Sequence, residues 1–276
     1  MTIPELEAIA REIRVDVIRM LVEAGSGHPG GSLSCTDMVT ALYFHQMRHR
    51  PDQPDWPDRD RFVLSKGHCV PAVYAALARA GYLEREETLS LRKLDSRMQG
   101  HPDRHRFPYV EASTGSLGQG LSVAVGMALA GKTGGKDYRT YCVISDGECQ
   151  AGQIWEAAMS APRFKLDNLC VLMDYNHIQL SGVTDEIMSL EPLLDKWRAF
   201  NWNTLEIDGH SFPAILDALK AAGQHRDGPT MIVCQTVKGK GVGFMENRWE
   251  WHGKAPSREE GERAIEEILN GTPPAS

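Results

Sequence analysis

Three absences narrow the class of this 276-residue chain. It has no basic excess: 37 Asp and Glu against 30 Lys and Arg give a formal net charge of −7, so broad nucleic-acid binding is not expected. It has no apolar run long enough to span a bilayer, and its charged, amphipathic first residues lack the apolar segment of a signal peptide. We therefore expect a cytoplasmic protein that binds neither nucleic acid nor membranes.

Metal-binding and disulfide patterns are also missing. No H-x₃-H or H-E-x-x-H spacing suggests zinc, and no two of the six cysteines are spaced C-x-x-C. Several of these cysteines lie in apolar stretches, which is typical of buried free thiols in a reducing compartment. They are Cys35, Cys69, Cys142, Cys149, Cys170 and Cys234.

Short apolar runs alternate with helical patterns along the chain, without repeats. This alternation favours an α/β fold with a mainly parallel, twisted sheet and helices on both faces. We expect one domain over residues 1–276, with a flexible tail from about residue 271. Helices are predicted over 4–24, 37–48, 71–80, 121–131, 153–160, 212–222 and near the end, strands over 61–64, 141–144, 168–176, 205–207 and 230–235, and a glycine-rich loop over 25–34.

One predicted strand ends on a carboxylate. Asp146 and Gly147 follow the apolar run 141–144, and Asn176 follows the next strand of the same βαβ unit. Both side chains should therefore lie at the carboxyl edge of the sheet, where α/β proteins bind ligands. Carboxylate and amide oxygens suit Mg²⁺ or Ca²⁺, and Gly147 would let a ligand approach the backbone. An ordinary Asp-Gly turn with an asparagine cap explains the same residues equally well.

Two further features favour a ligand site. The segment 113–120, "STGSLGQG", places three glycines before a helix, so that backbone N–H groups could face an anion or a flat ring. A Rossmann fingerprint is the alternative, but the glycines run in the reverse order and no good strand precedes them. Glycine-flanked loops also carry four histidines, which could relay protons near neutral pH. These are His28, His68, His101 and His252, whereas His45, His49, His105, His177, His210 and His225 are interpreted as structural or surface residues.

Taken together, the motifs resemble the N-terminal, pyrophosphate-binding half of transketolase, in the split form where this half is a separate polypeptide. The resemblance spans nearly the whole chain in family order. It rests on "SGHPGGSLS", "DRFVLSKGHCVPAVYAAL", "GHPD", "STGSLGQGLSVAVGMALA", "SDGECQAGQIWEAAMSA", "YNHIQLSG" and "VKGKGVGFMENRWEWHG".

The resemblance implies a thiamine-diphosphate-binding fold, with thiamine diphosphate and Mg²⁺ as cofactors and Ca²⁺ or Mn²⁺ as substitutes. It implies three metal ligands, which are Asp146, Asn176 and the backbone oxygen of Ile178. It implies cofactor contacts from His68, Gly115, Ser116, Leu117, Asp146, Gly147, Glu148, Asn176 and His252. It also implies that the catalytic histidines are His28, His68, His101 and His252, with His28, His101 and His252 lining the substrate channel.

The implied reaction moves a two-carbon ketol unit from a ketose phosphate to an aldose phosphate. The family's activating glutamate and most of its sugar-phosphate contacts lie on a pyrimidine-binding domain that this chain lacks. A separate C-terminal subunit with pyrimidine-binding and C-terminal domains is therefore expected as the partner, in a two-plus-two heterotetramer. Related alternatives are the α component of a 2-oxo-acid dehydrogenase or a deoxyxylulose-phosphate synthase, and a non-catalytic scaffold is the third.

Two positions depart from the family pattern. Ser145 replaces the usual glycine before Asp146, which we expect to be tolerated if its φ is negative. Ala151 replaces a glutamate of an acid cluster near the subunit interface, whereas Glu156 matches a second acid of that cluster.

Overall fold

The computed structural model describes residues 1–271, so the predicted flexible tail lies outside the described residues for 272–276. Five parallel strands form the main sheet in the order β1-β2-β3-β7-β6, and β4 and β5 form a small antiparallel hairpin. The main-sheet strands are β1 Arg61–Leu64, β2 Thr140–Ser145, β3 Leu169–Tyr175, β6 Asn203–Asp208 and β7 Thr230–Gln235, and the hairpin strands are β4 Ile178–Gln179 and β5 Gly182–Val183.

Ten α-helices surround the sheet in the described part of the chain. They are α1 Ile3–Ala24, α2 Pro29–Ser34, α3 Thr36–Ala41, α4 Val70–Arg79, α5 Gln119–Thr133, α6 Gly152–Arg163, α7 Thr184–Met188, α8 Leu193–Ala199, α9 Phe212–Gln224 and α10 Arg258–Asn270. A π-helical turn covers Leu42–Gln46, and 3₁₀ turns cover Gly67–Cys69, Arg85–Ser90, Gly147–Gln150 and Trp249–Trp251. No helix among residues 1–271 is both long and apolar enough to cross a membrane.

Each face of the sheet packs against its own group of helices. Successive strand residues point to opposite faces, so Tyr141 and Val143 join the core formed with α1, α4 and α9. Cys142 and Ile144 join the second core, formed with α5, α6 and α8. This arrangement confirms the predicted α/β fold with helices on both faces, whereas the single domain over 1–276 stays a prediction.

The segment 25–34, predicted as a glycine-rich loop, is wrong in part because Pro29–Ser34 forms α2. Proline suits the first turn of a helix, and the two glycines allow close packing. A Cβ on Gly31 would lie 2.6 Å from Sγ of Cys69, and one on Gly30 would lie 3.0 Å from Cγ of Lys238. Tertiary packing therefore outweighs the low helix propensity of glycine.

Other boundaries differ more modestly. The helix predicted over 37–48 begins at Thr36, changes to a π-helical turn at Leu42 and ends at Gln46. The β4–β5 hairpin, α7 and α8 were not predicted, because each is too short to show a clear hydrophobic period.

Shortening a side chain of the central strand β3 should destabilise the fold. Leu172 is fully buried, so Leu172→Ala should lower the free energy of unfolding by about 2–5 kcal/mol, through lost burial and a residual cavity. Urea denaturation followed by circular dichroism measures this. Leu94 is 92% exposed and provides the matched control, since Leu94→Ala should change stability by less than about 0.5 kcal/mol. Equal effects of the two substitutions would contradict the assignment of β3 to the core.

Candidate functional site

The carboxyl ends of the strands meet at one edge of the sheet, and a cavity of about 230 Å³ opens there. The segments that follow β1, β2, β3 and β7 all contribute to its wall, as the βαβ pattern predicts. The cavity is lined by Gly31, Lys66, His68, Leu117, Ser145, Asp146, Gly147, Gln150, Asn176, Ile178, Gln179, Leu180, Lys238 and His252.

The three residues predicted as metal ligands all line this cavity. Asp146 is almost fully buried, and burial together with the nearby Asp174 carboxylate raises the pKa of Asp146 to about 6. Its Oδ1 accepts the N–H of Gly147 at 2.8 Å, whereas its Oδ2 has only a 3.5 Å contact with the hydroxyl of Thr184. A buried carboxylate with so little compensation favours a cation beside it.

The amide of Asn176 is oriented by the chain itself. Its Nδ2 donates to Oδ2 of Asp174 at 3.1 Å, so the amide oxygen turns away from that carboxylate. This oxygen accepts the N–H of Ile178 at 3.2 Å and keeps a lone pair for another partner. The donors available here are a carboxylate, an amide and the Ile178 carbonyl, which fit a hard divalent ion.

No group of three or more His, Cys, Asp or Glu side chains in the described residues is arranged to hold a metal. The predicted ligand set contains only one such side chain, Asp146, so this result does not bear on it. The residues present fit a metal that takes part of its coordination shell from another molecule, as Mg²⁺ does with phosphates.

Lys238 is a cavity residue that the sequence interpretation missed. Its side chain is buried, with 2% exposed, and its Nζ donates to the carbonyl oxygen of Ile178 at 2.8 Å. The same Nζ lies 2.8 Å from Nδ1 of His252. Burial and the Lys66 ammonium lower the pKa of Lys238 to about 8. The glycine that follows it in "VKGKG" is the only local signal in the sequence.

Lys66 is the second buried lysine of the cavity wall. It pairs with Asp174, and its Nζ also donates to the carbonyl oxygen of Gly31 at 3.3 Å. Burial alone would lower the pKa of Lys66, but Asp174 raises it well above its ordinary value. Its charge is therefore balanced within the protein, unlike that of Lys238.

The four histidines singled out in the sequence come together in the structure. The ring centre of His28 lies 5.2 Å from that of His68, 6.0 Å from that of His101 and 5.6 Å from that of His252. The rings of His68 and His252 stack at 5.2 Å. Only His68 and His252 line the cavity itself, so the cluster extends from the cavity towards its mouth.

The environment of this cluster disfavours protonation. Burial, followed by the neighbouring His68, lowers the pKa of His28 to about 4 and also lowers that of His101. Burial and the Lys238 ammonium lower the pKa of His252 to about 3. These rings are therefore neutral near pH 7 and can each donate one hydrogen bond and accept another.

The glycine-rich segment lies beside the cavity. Leu117 reaches the cavity wall, whereas Gly115 and Ser116 line an adjoining open groove with His101. Gly115 has a φ of 156°, and a Cβ there would lie 3.1 Å from the ring of His101. Gly147 has room for a Cβ, since the nearest atom would be Cβ of Gln179 at 3.8 Å, so only a ligand would require a glycine at 147.

Glu148 is placed differently from the prediction that it contacts the cofactor. It is fully buried and does not line the cavity. Its carboxylate accepts the hydroxyl of Ser65 at 2.6 Å and the N–H groups of Gly118 and Ser145, both at 3.0 Å. Its oxygens thus join three loops of the site, and this use explains why it faces inward.

Ser145 meets the condition set for it in the sequence. It is not among the described non-glycine residues with positive φ, so its backbone does not require glycine. Its N–H donates to Glu148, as a glycine at this position could also do.

Comparisons with known proteins agree with this geometry. Residues 6–274 match the family model described as "Transketolase, thiamine diphosphate binding domain". One of the two kinds of chain of the apulose-4-phosphate transketolase of Phocaeicola vulgatus is 43% identical over 268 residues, covering 97% of this chain and 95% of that protein. The 6-deoxy-6-sulfo-D-fructose transketolase subunit SqwG of Clostridium sp. is 44% identical over 264 residues, covering 96% of each.

Full-length transketolases match over less than half of their length. Human transketolase is 40% identical over 266 residues, which cover 96% of this chain and 42% of that protein. The crystal structure of transketolase from Campylobacter jejuni superposes with a TM-score of 0.92 at 34% identity. This chain covers 43% of that structure, with 98% of its own residues included.

The histidine cluster gives a prediction for pH dependence. The ring of His28 should remain neutral down to about pH 5, because its pKa in the folded chain is about 4. Proton NMR of the histidine ring signals, assigned with His28→Asn, measures this. A midpoint near the ordinary value of about 6.5 would contradict the geometry of the cluster.

The same shift has a consequence for stability. The unfolded chain binds this proton below about pH 6.5 and the folded chain only near pH 4, so stability should fall as the pH falls through that window. His28→Asn should lose less stability than the parent chain between pH 7 and pH 5 in urea denaturation.

Proposed function

The chain belongs to the transketolase family, as its thiamine diphosphate-binding half, and from this premise we propose that it is one subunit of a split transketolase. With its partner it would transfer a two-carbon ketol unit from a ketose phosphate to an aldose phosphate. The observation that carries the proposal is the convergence of Asp146, Asn176 and the Ile178 carbonyl with Lys238 and the histidine cluster at one sheet edge.

The proposed cofactors are thiamine diphosphate and Mg²⁺, for which Ca²⁺ or Mn²⁺ could substitute. Asp146, Asn176 and the Ile178 carbonyl would hold the metal, because hard oxygen donors suit such an ion. When bound, thiamine diphosphate supplies the carbon centre that accepts the two-carbon unit. Lys238 would offset the negative charge of the diphosphate from the cavity wall.

The remaining site residues would orient the cofactor and the sugar. Leu117 supplies apolar contact at the mouth of the cavity, next to Gly115 and Ser116. The neutral rings of His28, His101 and His252 would donate and accept hydrogen bonds with sugar hydroxyls, and His68 would contact the cofactor. Neutral histidines suit this role because they do not repel a cationic ring or bind bulk anions strongly.

A partner subunit would cover the mouth of the cavity. Three large apolar side chains at or next to it are exposed, which are Leu117 at 44%, Leu180 at 66% and Met188 at 61%. Met188 belongs to this mouth because its carbonyl oxygen accepts a hydrogen bond from Gln150, a cavity residue. We propose a C-terminal transketolase subunit there, in a two-plus-two heterotetramer in the cytoplasm.

The relatives' names guide the choice of substrates to test. Subunits acting on apulose 4-phosphate and on 6-deoxy-6-sulfo-D-fructose both have sugars with an anionic group at one end. A phosphorylated or sulfonated ketose is therefore the first donor to assay. Ketol transfer measured beside pyruvate decarboxylation separates this function from that of a 2-oxo-acid dehydrogenase component or a deoxyxylulose-phosphate synthase.

Activity should require both halves. The purified chain alone should show no ketol transfer, and adding a C-terminal transketolase subunit from the same genome, with thiamine diphosphate and Mg²⁺, should produce it. A coupled spectrophotometric assay follows the released aldose. If the mixture is no faster than either half, this chain is not half of such an enzyme, and the scaffold alternative gains support.

Removing the Asp146 charge should weaken cofactor binding. Asp146→Asn keeps the side-chain volume but removes the carboxylate, so the Kd for thiamine diphosphate in the presence of Mg²⁺ should rise by at least about tenfold. Isothermal titration calorimetry with the two subunits together measures this. Asp217→Asn is the matched control, since Asp217 is exposed on α9 and should leave the Kd unchanged. Unchanged affinity in Asp146→Asn would refute the proposed metal site.

A further inference from the structure

A chain of polar contacts links the N-terminal helices to the segment that carries Lys238. Two guanidinium nitrogens of Arg14, on α1, donate to the two carboxylate oxygens of Asp37, on α3, at 2.9 and 2.7 Å. Oδ2 of Asp37 lies 2.7 Å from Nδ1 of His210, and the N–H of Val237 donates to Nε2 of His210 at 2.8 Å. His210 therefore connects α3 to the residue that precedes Lys238.

These contacts fix the tautomer of the imidazole. Since Nε2 of His210 accepts a hydrogen bond from a backbone N–H, it carries no proton, and the proton resides on Nδ1, which donates to Asp37. Burial alone would raise the pKa of Asp37, but Arg14 and His210 lower it below its ordinary value. The carboxylate is thus charged, balanced by Arg14, and held in one orientation towards the ring.

The backbone is shaped to bring His210 to this position. Gly209 follows β6, and its N–H donates to the carbonyl oxygen of Gln235 at 2.8 Å. A Cβ on Gly209 would lie 2.5 Å from Cγ2 of Thr236 and 2.8 Å from Cβ of Cys234. Any larger residue would push the end of β6 away from the end of β7, so the glycine permits the contact between His210 and Val237.

The neighbouring residue of Val237 reaches the opposite side of this segment. Lys238 directs Nζ into the cavity, where it contacts the Ile178 carbonyl and His252. We propose that His210 is a positioning residue, which fixes the backbone at Val237 so that the Lys238 ammonium is presented to the diphosphate of the cofactor. This inference rests on the function proposed above.

Other contacts hold the same segment without His210. The hydroxyl of Thr236 donates to Asp174 at 2.5 Å, the N–H of Gly239 donates to the carbonyl oxygen of Gly30 at 3.0 Å, and the N–H of Asn247 donates to that of Lys238 at 2.9 Å. The segment should therefore stay folded when His210 is replaced, and the loss should appear in the placement of Lys238.

The test compares His210→Phe with His49→Phe in the full chain together with its partner subunit. His49 is a suitable control because both of its ring nitrogens are also hydrogen-bonded, to Tyr82 at 3.1 Å and to the carbonyl oxygen of Tyr43 at 2.6 Å. It precedes β1, at the amino edge of the sheet, so its loss should affect stability but not the cavity. The Kd for thiamine diphosphate with Mg²⁺ and the melting temperature are measured for each variant.

We expect His210→Phe to raise the Kd about tenfold, the effect of losing one well-oriented hydrogen-bonded contact, and His49→Phe to change it less than about twofold. His210→Gln, whose side-chain oxygen can accept the Val237 N–H, should recover most of the affinity. In a Lys238→Met background, His210→Phe should add less than about twofold, because residues that act through one another are not additive.

Three results would overturn the inference. The first is an equal loss of affinity in the Lys238→Met background, which would show that His210 acts independently of Lys238. The second is an effect no larger than that of His49→Phe. The third is a parent complex that does not bind thiamine diphosphate at all, which would also remove the proposed function, whereas the first two leave that function intact.

Discussion

The buried carboxylate of Asp174, at the end of the central strand β3, is the constraint on which the site depends. It accepts hydrogen bonds from Ser34 on α2 at 2.5 Å, from Thr236 after β7 at 2.5 Å and from the amide of Asn176 at 3.1 Å, and it pairs with Lys66. One fully buried charge thereby ties together segments that are distant in sequence. Removing one partner of such a buried pair costs about 3–5 kcal/mol, because the remaining charge is left uncompensated.

The general location of the site could be predicted from local sequence because it follows from topology. Parallel strands joined by helices must end at the same edge, so Asp146 and Asn176 had to lie near one another once the βαβ unit was recognised. The four histidines were found for a related reason. Glycine-flanked loops at that edge have no regular structure of their own, and polar side chains on them can converge.

What could not be predicted depends on contacts between distant segments. Lys238 and His210 lack any local pattern that separates them from surface residues, and their importance appears only when Ile178 and Val237 are brought against them. Glu148 shows the opposite error. Its position next to Asp146 favours a ligand contact, yet the N–H groups and the hydroxyl available inside the turn draw its carboxylate into the core.

The charges of the cavity explain why this half forms a binding surface for a metal and an anion together. Asp174 balances Lys66 within the wall, which leaves the Asp146 carboxylate and the Lys238 ammonium as the charges that face the cavity. A divalent cation alone would add positive charge beside Lys238, and a diphosphate alone would add negative charge beside Asp146. Each addition is unfavourable in a buried space, whereas the pair is complementary to both residues. The neutral histidines add no charge to this balance, so they can contact an uncharged sugar without altering it.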